Sequence, residues 1–290
     1  MMEMRFETPK TAEAASALIA ATPGLSKIFS GGTDLMVHMR SGNIKPELVL
    51  DIKSIAEMNV IAIENGGYRV GAAVSCMQLL ENTAFATMWP GVIDGANLVG
   101  SIQVRGRATL GGNLCNASPG ADTVPAMIAA GAIASIVGPN GRREVPVEQI
   151  PAGPGKTSLA KGELIVSFFL PKRAPHSGDA YLRFTPRTEM DIAVVGVGLS
   201  LTLDDKGVCT HARVSLGAVA DRALLVPEAA AALIGTTVDA AALAKLAAAA
   251  SAAARPIDDK RGTKEFRIKV AGVLAKRAAE KALARAKGKN

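Results

Sequence analysis

The chain has 290 residues, of which 49% are hydrophobic and only 3% aromatic, which predicts a folded protein with a core of small aliphatic side chains. Its formal charge of +7 comes from residues 260–290, where 11 Lys or Arg face two Glu, and aromatic residues do not alternate with basic ones, which argues against a nucleic-acid-binding protein. The longest apolar run, residues 124–137, is broken by Pro125, Gly131 and Ser135, and the first residues lack a signal-peptide pattern, so we expect a cytoplasmic protein with no membrane span.

Short extended runs alternate with helical patterns over the first 51 residues. Extended runs are predicted at residues 5–6, 27–29 and 48–50, with a helix over 12–21. This alternation favours a small βαβ unit. Its first glycine-rich segment, Phe29 to Leu35 with Gly31 and Gly32, is then a turn from a strand into a second helix.

Residues 52–171 mix strand and helix signals. Turns are predicted at 64–67 and 138–141, and short helices after Ser75, around Val92 and after Asp122. This pattern predicts an α+β unit that contains a second glycine-rich segment, Thr109 to Asp122. The stretch 153–157 ends like a nucleotide-binding P-loop, but Ile150 stands where that motif requires its first glycine, so we reject the motif.

Each glycine-rich segment alone is compatible with a simple tight turn. Together, Gly31-Gly32 and Gly111-Gly112-Asn113 offer exposed backbone N–H groups next to predicted helix starts, the surroundings in which proteins bind phosphate. The sequence therefore predicts a pyrophosphate held between the two segments.

After Pro171 the pattern changes to strands over 181–184, 193–203 and 208–219, followed by an alanine-rich helical stretch over 227–254. We expect a three-stranded antiparallel sheet followed by helices. A basic helix over 263–287 closes the chain, with Phe266, Val270 and Val273 or Leu274 as its apolar stripe. Both a solvated surface helix and a contact with an acidic partner subunit remain open for it.

The residues that usually carry catalysis are scattered. Three cysteines (76, 115 and 209) and three histidines (38, 176 and 211) lie far apart, which predicts neither a disulfide framework nor a metal site. No paired nucleophile and base can be defended either. We therefore predict that the chain supplies binding and electrostatics to a bound cofactor.

Taken together, these motifs resemble the FAD-binding medium subunit of molybdenum hydroxylases, whose relatives include the flavin domains of xanthine dehydrogenase and aerobic carbon monoxide dehydrogenase. The resemblance rests on residues 30–35, 103–105, 108–125, 162–165, 171, 187, 191–193 and 261–267, and so covers essentially the whole chain. The chain departs from the family at Arg105-Gly106, where Arg-Asn is usual.

The resemblance implies an α+β architecture: a two-subdomain FAD-binding fold of the vanillyl-alcohol-oxidase or p-cresol-methylhydroxylase type, and a C-terminal domain with a three-stranded antiparallel sheet and helices. We expect the FAD-binding domain over residues 1–175, with subdomains of about 1–55 and 56–175, and the C-terminal domain over 176–290.

The resemblance also implies which residues bind the cofactor, without a catalytic side chain or a metal. The implied FAD contacts are Ile28, Phe29, Ser30, Gly31, Gly32, Thr33, Asp34, Leu35, Val99, Thr109, Leu110, Gly111, Gly112, Asn113, Asp122, Ile165 and Arg183. Asp122 is expected on the ribose or adenine side. Val99, Ile165 and Arg183 are carried over on spacing, and their alternatives are a helix core, a strand core and a surface cation.

As a function, the resemblance implies an electron-transfer subunit. A large partner subunit would hold the molybdenum cofactor, a small one would hold 2Fe–2S clusters, and the FAD of this chain would pass electrons to an external acceptor such as NAD, a quinone or oxygen. A dimer of heterotrimers is expected. Two alternatives stay open: a self-sufficient FAD-dependent oxidase and a flavin-free interaction subunit.

Overall fold

The computed structural model describes residues 4–289, and its first unit is a small parallel sheet with helices. The elements of this unit are β1 (Arg5–Glu7), α1 (Ala12–Ala21), β2 (Ser26–Phe29), α2 (Leu35–Arg40) and β3 (Leu48–Asp51). Both outer strands run parallel to β3 in the order β1-β3-β2. Helix α1 begins where the Thr11 hydroxyl accepts a hydrogen bond from the Ala14 N–H, as an N-cap does. The predicted βαβ unit is confirmed.

The second unit is built on a five-stranded antiparallel sheet. The strands of this unit are β4 (Ile61–Glu64), β5 (Gly67–Gly71), β6 (Ile133–Gly138), β7 (Gly141–Pro146), β8 (Pro151–Gly153), β9 (Lys156–Thr157) and β10 (Leu164–Leu170). The sheet order is β4-β5-β10-β6-β7, and β8 pairs with β9 alone. Both predicted turns are hairpins, and at the first of them Asn65 and Gly66 adopt positive φ. Because residues 153–157 form the small β8–β9 hairpin, rejecting the P-loop was correct.

Short helices pack on this sheet. They are α3 (Cys76–Glu81), α4 (Thr83–Met88), α5 (Pro90–Asn97), α6 (Ile102–Arg105), α7 (Leu110–Asn116) and α8 (Thr123–Ala129). Buried side chains such as Leu79, Phe85 and Met127 form one apolar cluster with Val70 and Phe168 of the sheet. The three predicted helices are confirmed, whereas α4, α6 and α7 were not predicted.

The third unit begins at residue 177 and joins an antiparallel sheet to three helices. The sheet consists of β11 (Ser177–Phe184), β12 (Val195–Leu203), β13 (Cys209–Gly217) and β14 (Leu224–Leu225), and the helices are α9 (Pro227–Ala231), α10 (Ala240–Ala253) and α11 (Lys264–Ala286). The strands of this sheet lie in the order β11-β12-β13-β14, so the prediction of a three-stranded sheet was wrong. The fourth strand has only two residues, which pair with Ser215 and Leu216 and are too few to show an alternating pattern.

Helix α11 is part of the core of this third unit. Its buried face consists mainly of alanine, including Ala271, Ala275 and Ala278, whereas Phe266 and Val273 are 40% and 42% exposed. The predicted apolar stripe was therefore right for the buried Leu274 and for Val270, which packs against the core, and wrong for Phe266 and Val273. Small side chains let α11 lie directly on the sheet: a side chain at Gly178 of β11 would overlap the main chain of α11.

Charged groups join the second and third units. Asp94 of α5 accepts hydrogen bonds from Lys281 and Arg285 of α11, at 3.0 and 2.7 Å. Asp179 of β11 pairs with Arg173 at 2.8 Å and accepts the Gly91 N–H. Part of the basic C-terminal charge thus serves contacts within the chain. Across residues 4–289, no helix combines the length and the hydropathy that crossing a membrane requires.

Candidate functional site

A cleft of about 280 Å³ lies where the first two units meet. The first unit contributes most of residues 26–35 together with His38 and Ile44, and the second contributes Val99, Leu159, Ile165 and parts of 108–116. The two walls are held together by a buried hydrogen bond of 3.0 Å between the hydroxyls of Ser30 and Thr109. The two glycine-rich segments, which are distant in sequence, therefore meet at one place.

The first glycine-rich segment presents unused backbone donors. Within the described part of the chain, the N–H groups of residues 31–34 have no hydrogen-bond acceptor. Gly32 has φ of +75°, a conformation that glycine adopts without strain. Successive free N–H groups in such a turn form a concave binding site for an anion.

The second segment differs from the loop that we predicted. Gly111 and Gly112 lie in the first turn of α7, and the Thr109 hydroxyl caps this helix by accepting the Gly112 N–H at 2.9 Å. The side chain of Leu110 is fully buried in the apolar core. The segment thus brings a helix start, rather than an extended loop, to the cleft.

Gly31, Gly111 and Gly112 are not all glycine for the same reason. A β-carbon at Gly31 would overlap the carbonyl oxygen of Arg107, and one at Gly111 would lie 2.6 Å from the carbonyl oxygen of Ala72. Both positions therefore require glycine for packing within the protein. At Gly112 a β-carbon would meet only the hydroxyl oxygen of Thr109, at 3.1 Å. Packing within the protein therefore does not require glycine at Gly112, and the simplest reason for glycine there is that it leaves space for a ligand in the cleft.

Most of the predicted contact residues line the cleft. Those that do are Ile28, Ser30, Gly31, Thr33, Asp34, Leu35, Val99, Thr109, Gly111, Gly112, Asn113 and Ile165. Phe29, Gly32, Leu110, Asp122 and Arg183 do not. The ring of Phe29 packs instead against Phe6, with the Lys53 ammonium 3.8 Å from its centroid.

Other lining residues were missed by the sequence reasoning. They are Ser26, Lys27, His38, Ile44, Ile52, Ala72, Ala108, Cys115, Asn116 and Leu159. Several of them directly flank the predicted segments. The strand pattern before each glycine pair and the helical pattern after it could therefore have indicated them. Lys27 brings a positive charge to the cleft and Asp34 a negative one. Ile44, Ala72 and Leu159 come from other parts of the chain, and the local pattern carries no signal for them.

Asp122 and Arg183 form a buried ion pair behind this wall. Arg183 Nη1 lies 2.6 Å from one carboxylate oxygen of Asp122, and the Tyr181 hydroxyl donates to the other at 2.8 Å. Burial raises the pKa of Asp122 to about 6, although Arg183 and Tyr181 both act to lower it. The adjacent Thr123 hydroxyl donates to the Asn113 side chain at 2.6 Å, which connects the pair to the cleft.

The cleft can thus bind an anion through main-chain groups and an apolar ligand part through Ile28, Val99 and Ile165. Among residues 4–289, the structure contains no cluster of three or more His, Cys, Asp or Glu side chains able to hold a metal ion. Its three cysteines are free thiols.

Comparison with protein families gives two matches that together span most of the chain. Residues 2–173 match the family described as the FAD binding domain in molybdopterin dehydrogenase. Residues 180–282 match the CO dehydrogenase flavoprotein C-terminal domain.

Individual relatives agree with these matches. The chain is 30% identical over 274 residues to the putative xanthine dehydrogenase FAD-binding subunit of Escherichia coli strain K12, covering 94% of this chain and 93% of the relative. It is 32% identical over 282 residues to the carbon monoxide dehydrogenase medium chain of Afipia carboxidovorans, covering 97% of each.

Solved structures show the same architecture. A chain of reconstituted CO dehydrogenase from Oligotropha carboxidovorans matches with a TM-score of 0.93 and 31% identity, covering 98% of both chains. A chain of quinoline 2-oxidoreductase from Pseudomonas putida 86 matches with a TM-score of 0.89 and 27% identity, again over 98% of both.

Proposed function

This chain belongs to the family of FAD-binding subunits of molybdenum hydroxylases, and we propose that it binds FAD in the cleft between its first two units and transfers electrons within a multi-subunit enzyme. Substrate oxidation takes place on a partner subunit. The flavin of this chain receives the electrons through partner iron–sulfur clusters and delivers them to an external acceptor.

One observation carries this proposal: the two glycine-rich segments converge on a cleft in which four successive N–H groups have no acceptor among the described residues. A pyrophosphate supplies several acceptor oxygens and negative charge, which main-chain N–H groups satisfy without ordering flexible side chains. The chemistry of the cleft therefore fits the central part of FAD.

Each wall has its own role in this proposal. The N–H groups of residues 31–34 and the start of α7 hold the pyrophosphate. The Asp34 carboxylate accepts a hydrogen bond from a hydroxyl group of the ligand. Ile28, Val99 and Ile165 cover apolar parts of the cofactor and exclude water. When bound, FAD takes up and releases electrons, while the chain itself binds and orients it.

We retain all seventeen residues predicted from the resemblance as candidate FAD contacts. For Asp122 and Arg183, support comes from their link to Asn113 through Thr123. Since they do not line the cleft, we propose that they act on the cofactor from behind this wall. Phe29, Gly32 and Leu110 would then contribute main-chain groups.

The finer architecture is also a proposal. We propose the vanillyl-alcohol-oxidase or p-cresol-methylhydroxylase type of FAD fold, with subdomains of about 1–55 and 56–175 and a C-terminal domain over 176–290. The two family matches, which end at residue 173 and begin again at 180, support the main boundary. A largely separate apolar cluster within residues 180–286 supports it as well.

For the assembly, we propose a large molybdenum-cofactor subunit and a small 2Fe–2S subunit as partners, arranged as a dimer of heterotrimers. The names of the relatives, which are subunits or medium chains, support this assembly. A cytoplasmic location remains a prediction from the sequence. The substrate is recognised on another chain, and NAD, a quinone and oxygen all remain candidate acceptors.

Purification of the chain together with its partners tests the function. We expect noncovalent FAD near one per chain, seen in the visible spectrum and identified after release, and partners that contain molybdenum and iron–sulfur clusters. Substrate turnover by the isolated flavin-loaded chain would instead indicate a self-sufficient oxidase. Failure to bind FAD even on reconstitution would contradict the proposal and favour a flavin-free interaction subunit.

A further inference from the structure

One side of α11 points away from the core of the third unit. Its residues follow one another at intervals of three or four positions and so share one side of the helix over about 16 Å. They are all exposed, whereas the opposite side of the helix is buried. The outer face of α11 is defined by these residues: Phe266, Lys269, Val273, Lys276 and Arg277.

The cations of this outer face are free of carboxylate partners. Lys269, Lys276 and Arg277 form no ion pair with any of residues 4–289. Other cations of the same helix do have partners within the chain, at 2.6–3.0 Å: Arg267 pairs with Asp259, and both Lys281 and Arg285 pair with Asp94. Since residues 260–290 contain 11 Lys or Arg and only two Glu, the fold leaves an excess of positive charge at this surface.

An apolar spot lies next to these cations. The ring of Phe266 packs edge to face on the ring of Phe184 in β11, with 5.5 Å between the centroids, and the two side chains are 40% and 38% exposed. Val273, two turns further along the helix, is 42% exposed. Aromatic residues at an apolar centre with a charged rim are typical of protein–protein interfaces.

Charge and geometry together favour one kind of occupant. The same face of a second copy would present the same cations and be repelled. A bilayer or a nucleic acid binds through rings that insert or stack, whereas Phe184 and Phe266 are half-buried and packed against each other. A protein surface that carries carboxylates around an apolar centre complements both the charge and the shape.

We propose that the outer face of α11, together with Phe184, docks an acidic surface of a partner subunit. Carboxylates of that subunit pair with the three free cations, and an apolar side chain covers the two rings. This docking rests on the multi-subunit assembly of the proposed function. Because none of these residues lines the FAD cleft, docking and cofactor binding can be measured separately.

Charge reversal in the whole enzyme tests this surface. The chain is co-expressed with its partner subunits and purified through a tag on a partner, and mass photometry on dilution measures how firmly the complex retains the chain. In the triple variant Lys269→Glu, Lys276→Glu and Arg277→Glu, the affinity should fall at least about tenfold, because each attraction becomes a repulsion. Added salt should weaken the wild-type complex but not the variant complex.

A matched control carries the same change in charge elsewhere. The triple variant Lys10→Glu, Lys161→Glu and Lys206→Glu alters exposed lysines outside the outer face and should assemble like wild type. Unchanged FAD content and unfolding temperature of both triple variants show that the fold is intact. Phe266→Ala tests the apolar centre and should lower the affinity about tenfold, as the loss of an aromatic anchor does.

Three results would overturn this docking. Equal affinity of the outer-face and control variants would exclude the surface and leave the proposed function intact. Normal assembly of the outer-face variant, with loss of self-association or of binding to phosphatidylserine vesicles, would assign the face to a second copy or to a membrane. A wild-type chain that binds FAD but no partner would overturn both the assembly and this surface.

Discussion

At the scale of single residues, glycines that look alike in the sequence have different roles. Gly31 and Gly111 are required because main-chain carbonyl groups of Arg107 and Ala72 pack against them, whereas Gly112 borders the open cleft. The sequence identified the glycine pairs and their neighbouring helices. It could not separate packing from ligand contact, since Ala72 lies almost forty residues before Gly111.

Gly112 therefore gives the cleanest test of the cleft. Gly112→Val should abolish stoichiometric FAD because its side chain occupies cleft space, while the fold remains, since only the Thr109 hydroxyl must shift slightly. Flavin content and far-ultraviolet circular dichroism measure the two effects. Gly106→Val, where the nearest contact of a β-carbon is an ordinary 3.5 Å, should keep its FAD. A folded Gly112→Val protein with full FAD would contradict this placement of the pyrophosphate.

The buried Asp122 leads to a prediction about pH. Its pKa is raised to about 6 in the folded chain, mainly by burial, against 3.8 as its ordinary value. The folded state then retains the proton at a pH where the unfolded state has lost it. The contribution of Asp122 to stability is therefore fully present below about pH 4 and is lost as the pH rises through 6.

Asp122→Asn removes this titration. The free energy of unfolding of wild type minus that of the variant should fall by up to about 3 kcal/mol between pH 4 and pH 6 and stay level above that range. Chemical denaturation at several pH values measures this difference. If this difference in unfolding free energy instead rose between pH 4 and pH 6, the prediction would be wrong. The ion pair with Arg183 would then outweigh burial and hold the pKa of Asp122 below its ordinary value.

At the scale of elements, α11 shows how tight packing alters the expected pattern. Its position was predicted to within one residue at each end, because Thr263 caps it and the helical signal is long. Of its buried face only Leu274 and the partly buried Val270 were predicted, because alanine carries little hydrophobic signal, and the larger Phe266 and Val273 are partly exposed. Alanine predominates on the inner face because the sheet approaches closely, as at Gly178, where even a β-carbon would overlap the main chain of the helix.

Gly178 tests this close approach. Gly178→Ala should destabilise the chain by about 3 kcal/mol, because the added methyl group overlaps the carbonyl group of Ala282 in α11 and forces the helix outward. Thermal or chemical unfolding measures the loss. Gly106→Ala, whose methyl group has room, should change stability by no more than about 0.5 kcal/mol. Equal stability of the two variants would show that α11 can shift without cost.

At the scale of the whole molecule, the order of strands and helices was largely predictable, but the contacts between units were not. Local patterns gave the βαβ unit, both hairpins and three strands of the last sheet. The cleft between the first two units depends on the contact of Ser30 with Thr109. The boundary between the second and third units depends on the contact of Asp94 with Arg285. Such pairs lie far apart in sequence, so no local period reports them.

The C-terminal helix is accordingly expected to be indispensable for the whole fold. Deleting residues 276–290 removes Lys281 and Arg285, leaves the carboxylate of Asp94 without its two cationic partners and uncovers the sheet. We expect this truncation to lose cooperative unfolding and most of its FAD, whereas deleting residues 288–290 should preserve both. Calorimetry and flavin content of the two truncated chains provide the comparison. Normal unfolding of the shorter chain would contradict this role.

The main-chain cradle at residues 31–34 also has an evolutionary consequence. A ligand held by N–H groups is indifferent to most side chains, because every residue except proline carries the same donor. Selection can then act mainly on backbone shape, through Gly32 with its positive φ and Gly31 with its close neighbour, and leave the side chain of Thr33 free to drift. A cofactor site of this kind can persist while most of the surrounding sequence is replaced.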